Sequence, residues 1–345
     1  MAAPLRSRAP RARREPRLAP ILAALLVPLL LVLAACGPSS VVPTPPPDAT
    51  SSTGPATTAT PAAATSTPAP TFPLTLTDDE GTAVAVPSKP QRIVSLTPAA
   101  TETLFAIGAG DRVVAKVEDI AAYPPEAGDL PVVATFEGVD VEQIVALEAD
   151  LVVAGGLFFT PPDAITQLRG LGIPVIVLYA ESVEQALAGI QAIGDAAGAS
   201  EAAATLVASM RADFDAIAAA TAGLDRPVTF YELDATSKIY TVPAGSLYAE
   251  MLELAGADPV TTDDSYEISL EELLAADPEV ILLGDDADYT TAADVAARPG
   301  WGDITAVREG NVIPVEDYVL VTRPGPRLAD GLRALVEALH PEALD

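Results

Sequence analysis

A chain of 345 residues with one His and one Cys has few ways to assemble a catalytic site. His340 lies close to the C-terminus and Cys36 follows an apolar N-terminal run, so no nucleophile with its base, and no metal cluster, is indicated. Gly284-Asp285-Asp286-Ala287-Asp288 hints at Ca²⁺, but it lacks the Gly and the distal Glu of an EF-hand loop and reads as a solvated strand end. Gly155-Gly156 could cradle a phosphate, yet without the Lys and spacing of a P-loop a tight turn is the better reading. The carboxylates that stand out are Glu142 and Glu271, because they occupy the same place in two copies of one pattern.

The copies are Val141-Glu142-Gln143-Ile144-Val145-Ala146-Leu147-Glu148-Ala149-Asp150-Leu151-Val152-Val153 and Leu270-Glu271-Glu272-Leu273-Leu274-Ala275-Ala276-Asp277-Pro278-Glu279-Val280-Ile281-Leu282. Asp140 with Gln143 and Ser269 with Glu272 have the spacing of capping boxes. Each copy therefore predicts a short helix, a turn and a buried strand. Glu142 and Glu271 fall in the first helical turn, where a side chain points outward. Two lobes, each offering one carboxylate, follow from the duplication.

The elements that position them begin after an export region. Arg6, Arg8, Arg11, Arg13, Arg14 and Arg17 precede an apolar run that ends at Leu33-Ala34-Ala35-Cys36, the pattern of a lipoprotein signal peptide (1–36) with Cys36 lipidated. Residues 37–71 are Pro, Thr, Ser and Ala with almost no charge, a composition that predicts an extended tether. Removing the signal would leave the chain more acidic than its formal −29, which excludes nucleic acid as a partner and favours a basic protein surface. Without a second Cys there is no disulfide.

Strands alternating with helices over 72–198 predict an α/β lobe with a mostly parallel sheet, preceded by a β-hairpin around Asp78-Asp79-Glu80-Gly81. Ser200 to Thr221 carries Leu206, Met210, Phe214 and Ile217 at helical spacing with no interior Gly or Pro, so 199–224 reads as one long rigid helix joining the lobes. A second α/β lobe follows over 225–345. Glu250-Met251-Leu252-Glu253-Leu254-Ala255-Gly256 in it echoes Glu102-Thr103-Leu104-Phe105-Ala106-Ile107-Gly108. Ligands of such sheets bind beyond the carboxyl ends of the strands, which places Thr97, Pro98, Gly155, Phe158 and Phe159 on the rim.

Taken together, Gln91-Arg92-Ile93-Val94-Ser95-Leu96-Thr97-Pro98-Ala99-Ala100-Thr101-Glu102, Tyr123-Pro124-Pro125, the repeat from Glu142 to Val152 and Arg323-Pro324-Gly325-Pro326-Arg327 resemble the solute-binding proteins of ABC importers for cobalamin and iron chelates. The resemblance spans Phe72 to His340. It implies two α/β lobes bridged by one long helix, with a metal chelate held in the cleft between them and no resident cofactor. It further implies a monomer, held at the outer face of the cytoplasmic membrane by its lipid, that docks on an ABC permease through one glutamate per lobe, here Glu142 and Glu271. Matching cleft positions are Pro98, Tyr123, Phe136, Tyr240 and Arg323, with Tyr266 and Tyr318 approximately placed. Aromatic rings suit a large flat ligand and a rim Arg suits phosphate or carboxylate.

Two departures keep the ligand open. The cobalamin binders carry Trp where this chain has Phe136 and, approximately, Gly155, and the hairpin before Lys89 is more typical of siderophore binders. With His340 at the end of the last helix, haem ligation through His is not expected. Rival readings are a carboxylate-dependent hydrolase on the same scaffold, which has no motif behind it, and a cell-surface adhesion or structural lipoprotein, suggested by the long tether.

Overall fold

The computed structural model describes residues 71–156, 160–263, 265–285 and 289–344. The signal peptide, the lipobox Cys36 and the tether up to residue 70 fall outside these residues, as do Phe158, Phe159 and 286–288.

The first lobe opens with the expected hairpin, β1 (Leu74–Thr77) and β2 (Ala83–Val86), closed by Gly81 in a left-handed conformation. Six strands then make one sheet: β3 (Ile93–Ser95), β4 (Val113–Val117), β5 (Val132–Thr135), β6 (Gly138–Val139), β7 (Leu151–Ala154) and β8 (Val175–Val177). Their order is β6-β5-β4-β3-β7-β8, parallel except where β6 turns back on β5. Because side chains alternate along a strand, Ile93, Leu151, Val153 and Ile176 fill a core on one face, and Val94, Val152, Val175 and Val177 fill the other. The first face is covered by helix α1 (Pro98–Ala106) and the second by α2 (Val141–Ala146) and α3 (Pro162–Gly170).

The connector differs from the single long helix read from the sequence. Helix α4 (Val183–Ala197) and helix α5 (Ser200–Thr221) form an antiparallel pair, turned at Gly198, and both cross between the lobes. The amino-terminal part of α4, assigned by sequence to the first lobe, contributes Val183, Ala186, Leu187 and Ile190 to the second lobe's core. Its other end, with Ile193, Ala196 and Ala197, packs in the first. α5 divides the same way, Ala203 belonging to the first core and Met210, Phe214 and Ile217 to the second. At 1.5 Å per residue, about 33 Å of α5 is available for this. The two axes approach closely because Gly194 faces Ala203; a Cβ on Gly194 would collide with the Ala203 methyl.

The second lobe holds β9 (Val228–Glu232), β10 (Ile239–Tyr240), α6 (Leu247–Leu254), β11 (Asp258–Pro259), β12 (Glu267–Ile268), α7 (Leu270–Ala276) and β13 (Val280–Leu283). It closes with α8 (Ala292–Ala297), α9 (Thr305–Glu309), β14 (Val312–Pro314), α10 (Tyr318–Thr322) and α11 (Leu328–Leu339). Its main sheet is parallel in the order β11-β9-β13-β14, with β10 and β12 forming a small antiparallel ribbon.

The duplication is exact in kind at one device. Glu148 and Asp277 occupy equivalent places after α2 and α7, and both take left-handed backbone angles, φ 51° and 43°. Two residues on, Asp150 accepts from the amides of Gln91 and Arg92 at 2.8 Å, and Glu279 accepts from the Val228 amide at 3.0 Å. In each lobe, therefore, the carboxylate just before the repeat's strand fixes the start of the neighbouring strand.

A second connection between the lobes is ionic. The Arg323-to-Arg327 turn, between α10 and α11, lies against the start of α1: a Cβ on Gly325 would stand 3.4 Å from the Ala99 Cα. Arg323 Nη1 donates to Glu102 Oε1 at 3.0 Å and to Asp119 Oδ2 at 2.9 Å. Arg327 grips Glu102 with Nε and Nη2, at 3.0 and 2.8 Å, and lays its guanidinium 3.7 Å from the ring centre of Tyr123. The carboxylates are 1% and 4% exposed, so this is a buried network in which each charge depends on its partners.

Three measurements test these contacts. Gly194→Leu should wedge the helix pair apart and lower unfolding free energy by about 1–3 kcal/mol in urea titrations. Arg323→Ala strands the buried Asp119 carboxylate, while Glu102 keeps Arg327, and should cost about 3–5 kcal/mol. Burial pushes the Asp119 carboxyl up, but the hydrogen bonds and charge of Arg323 together with the Ala121 and Tyr123 amides outweigh it and hold it below the usual range. Its stabilisation is then complete above its unfolded value of about 4 and lost as pH falls through the lower folded value. The stability gap between wild type and Asp119→Asn should accordingly be constant at neutral pH and shrink only in acid.

Candidate functional site

The carboxyl ends of the strands in both sheets meet at the ionic network. β3 ends where α1 begins, β4 ends just before Asp119, and the chain leaving β14 enters α10 and the arginine turn. Thr97 starts α1 with its side chain accepting from the Ala100 amide at 3.2 Å, and Pro98 takes the first helical position, half-buried on this rim as the sequence implies. Tyr123 is 38% exposed, one ring face being taken by Arg327. Glu102, Tyr123 and Arg327, with Phe105 and Pro326, also wall an open groove of about 420 Å³.

Arg323 is at the interface, but its guanidinium is already held by Glu102 and Asp119 and is 12% exposed. Sequence spacing suggests a rim Arg free for a ligand anion; what it cannot show is that Glu102, 221 positions away, comes within hydrogen-bond distance. Phe136 has the opposite fate. At the turn between β5 and β6 it is fully exposed, so it packs in no core.

On the second lobe, Tyr240 lies in β10 and Tyr266 just before β12, the ribbon joining them through Thr241 N to Tyr266 O at 2.8 Å. Tyr266 is 42% exposed, and burial raises its pKa. Behind it stand rings the sequence reading did not single out. Tyr248 is pushed up to about 12, chiefly by burial and then by Tyr266. Tyr231, fully buried on β9, is pushed higher still, by burial first and then by Tyr248, Asp285 and Tyr318. All are neutral phenols at physiological pH. Neither Tyr231 Oη nor Asp285 Oδ1 has a hydrogen-bond partner among the described residues. Tyr289, 84% exposed after the end of β13, is another ring the sequence reading passed over. Its position after a buried strand was the available signal.

Glu142 and Glu271 are exposed in the first turns of α2 and α7. Each helix precedes the strand it feeds, β7 or β13, and so starts at the carboxyl end of its own sheet. The capping expectation holds fully for Ser269 and Glu272, whose side chains and amides bond reciprocally; at Asp140 only its own acceptance from the Gln143 amide, at 2.9 Å, is present. His340 lies elsewhere, its Nε2 3.2 Å from Gly256 O. No described group of three or more His, Cys, Asp or Glu side chains is arranged to hold a metal ion, and no described helix is long and apolar enough to cross a membrane.

Residues 93–318 match the periplasmic binding protein family. An ABC transporter substrate-binding lipoprotein of Bacillus subtilis, itself uncharacterised, is 35% identical over 79% of this chain and 87% of its own length. A cobalamin-binding protein of Halobacterium salinarum is 32% identical over 78% of this chain and 74% of its own. The solved periplasmic haem-binding protein of Roseiflexus superposes with a TM-score of 0.64 at 26% identity, covering 73% of this chain and 99% of its own. With two parallel-sheet lobes meeting at their strand ends, the chain belongs to the periplasmic binding protein family, as the extracytoplasmic substrate-binding component of an ABC transporter.

Proposed function

We propose that this protein is a lipid-anchored solute catcher, tethered through Cys36, that takes up a bulky metal chelate between its lobes and delivers it to a membrane permease. The solute is a corrinoid such as cobalamin, or a ferric chelate. The observation that carries this reading is the set of exposed rings at the strand ends. Phe136 on the first lobe is fully exposed, and Tyr266 and Tyr289 on the second are 42% and 84% exposed. Leaving large apolar faces in water is unfavourable by about 25 cal/mol per Å², and a flat macrocycle or an aromatic chelate would cover them. Relatives named for cobalamin and haem support the same size class.

The ligand-facing residues in this reading are Pro98, Tyr123, Phe136, Tyr240 and Tyr266. Arg323 frames the site from within the ionic network. Glu142 and Glu271, one exposed carboxylate per lobe at equivalent helix starts, are the permease contacts. Complementary charge on a basic permease surface would orient the encounter and speed it.

A thermal-shift screen with cobalamin, cobinamide, haem and several ferric siderophores should give one clear responder, since a ligand that binds only the folded state raises Tm. Phe136→Ala should weaken that response; no responder, or a response indifferent to Phe136, counts against the reading. Glu142→Ala combined with Glu271→Ala should leave solute affinity unchanged and abolish uptake by cells, and normal uptake would remove the docking role.

A further inference from the structure

Near the strand ends the arginines are matched. Arg323 and Arg327 are balanced by Glu102 and Asp119, and Arg298 holds Glu232, at the end of β9, with Nη2 to Oε1 at 2.8 Å. Lys238 on the ribbon side pairs with Glu267. One cation in this region has no such partner. Lys116, the penultimate residue of β4, is 8% exposed; its backbone amide donates to Pro131 O, but no described residue accepts a hydrogen bond from its ammonium or pairs with it as an ion.

Its placement is specific. In the sheet it stands in register with Ser95 of β3 on one side and Val132 of β5 on the other. Paired residues of parallel strands share a face, and Ser95 Oγ lies 2.6 Å from Thr101 Oγ1, so the shared face is the one covered by α1. Val132, the neighbour on that face, is 42% exposed, so the cover ends beside Lys116. The stem of the lysine is enclosed, while its ammonium is not among the fully enclosed unpartnered atoms and reaches the surface. The strand then passes through Glu118 to Asp119, where the lobes meet.

With its stem buried and its ammonium at the surface without a described counter-charge, Lys116 is free to meet an anion there, and nothing about packing alone requires a cation at a position that Met would fill. We propose that Lys116 is a solute-binding residue whose ammonium pairs with an anionic oxygen brought to the end of β4 by the captured solute. This rests on the proposed capture of a metal chelate and adds a charge requirement to it. The expected Arg323 cannot supply that charge, because its guanidinium is already shared between two carboxylates. A carboxylate of a tetrapyrrole, the phosphodiester of a complete corrinoid and the oxygens of a ferric hydroxamate all offer the same chemistry.

The test is Lys116→Met, which keeps the stem and removes the charge. Calorimetric titration of both proteins with cyanocobalamin, dicyanocobinamide, haemin, haemin dimethyl ester and a ferric hydroxamate, each at low and high salt, reads the affinity. The responding solute should bind the variant at least roughly tenfold more weakly, and the salt dependence of its affinity should flatten. If the phosphodiester is the anion, cobinamide is insensitive to the substitution; if a carboxylate is, the dimethyl ester is. Affinity unchanged by the substitution overturns the proposal. Free of solute, the variant should melt no lower than the wild type, since it loses an unmatched charge. A clear fall in its Tm would show a structural role for Lys116 and also overturn the proposal, even if none of these solutes binds and the capture reading itself fails.

Discussion

Two helices that belong to two cores at once constrain everything else in this molecule. α4 and α5 each bury one end in the first lobe and the other end in the second, and they touch closely because Gly194 leaves room for Ala203. A helix of about 20 residues resists bending, and a packed pair resists it more. Displacing one lobe against the other would shear Met210 and Phe214 out of a filled core, so only small relative rotations are inexpensive. A binding protein built this way presents nearly the same shape empty and loaded, and its rim must already be close to the ligand's dimensions.

The arginine turn adds a second fixed point, where the start of α11 lies against α1. Glu102 and Asp119 give up water to reach Arg323 and Arg327, a loss offset only while all four remain together. The same network removes charge from the meeting place of the lobes. Arginines that would otherwise attract any anion are matched one for one, and the electrostatic character there passes to less obvious residues. Tyrosines held neutral by burial line the second lobe, and Lys116 lies at the end of β4 in the first. In the proposed capture reading, discrimination between solutes rests on aromatic surface and on a single point charge rather than on a general positive field.

The internal repeat was legible as a string of letters because it does local work in both copies. Whereas the left-handed angles of Glu148 and Asp277 emerge only in the structure, a cap and a helical turn are fixed by neighbours in sequence, and Ser269 and Glu272 behave as their spacing suggests. The same holds for the hairpin around Gly81, for Pro98 at the start of α1 and for α5 from Ser200 to Thr221, whose bounds the apolar spacing gave to the residue. The carboxylates that clamp neighbouring strands, Asp150 and Glu279, were present in the pattern, yet nothing local says that their partners are Gln91, Arg92 and Val228.

By itself, then, the sequence determined the longer helices and core strands but not β6, β10, β11, β12, α9 or α10, and it determined the existence of two similar α/β lobes and the outward placement of Glu142 and Glu271, which follow from hydrophobic periodicity and capping chemistry over a few residues. Only the tertiary structure decided that the connector is a helix pair shared by both cores, because amphipathic α4 fits either lobe until both are folded. It alone decided that Arg323 is spent on Glu102 and Asp119, that Phe136 faces water and that Lys116 buries its stem without a counter-ion among the described residues. Charge pairing and exposure depend on which side chains distant in sequence arrive within a few ångströms, and spacing along the chain carries no record of that.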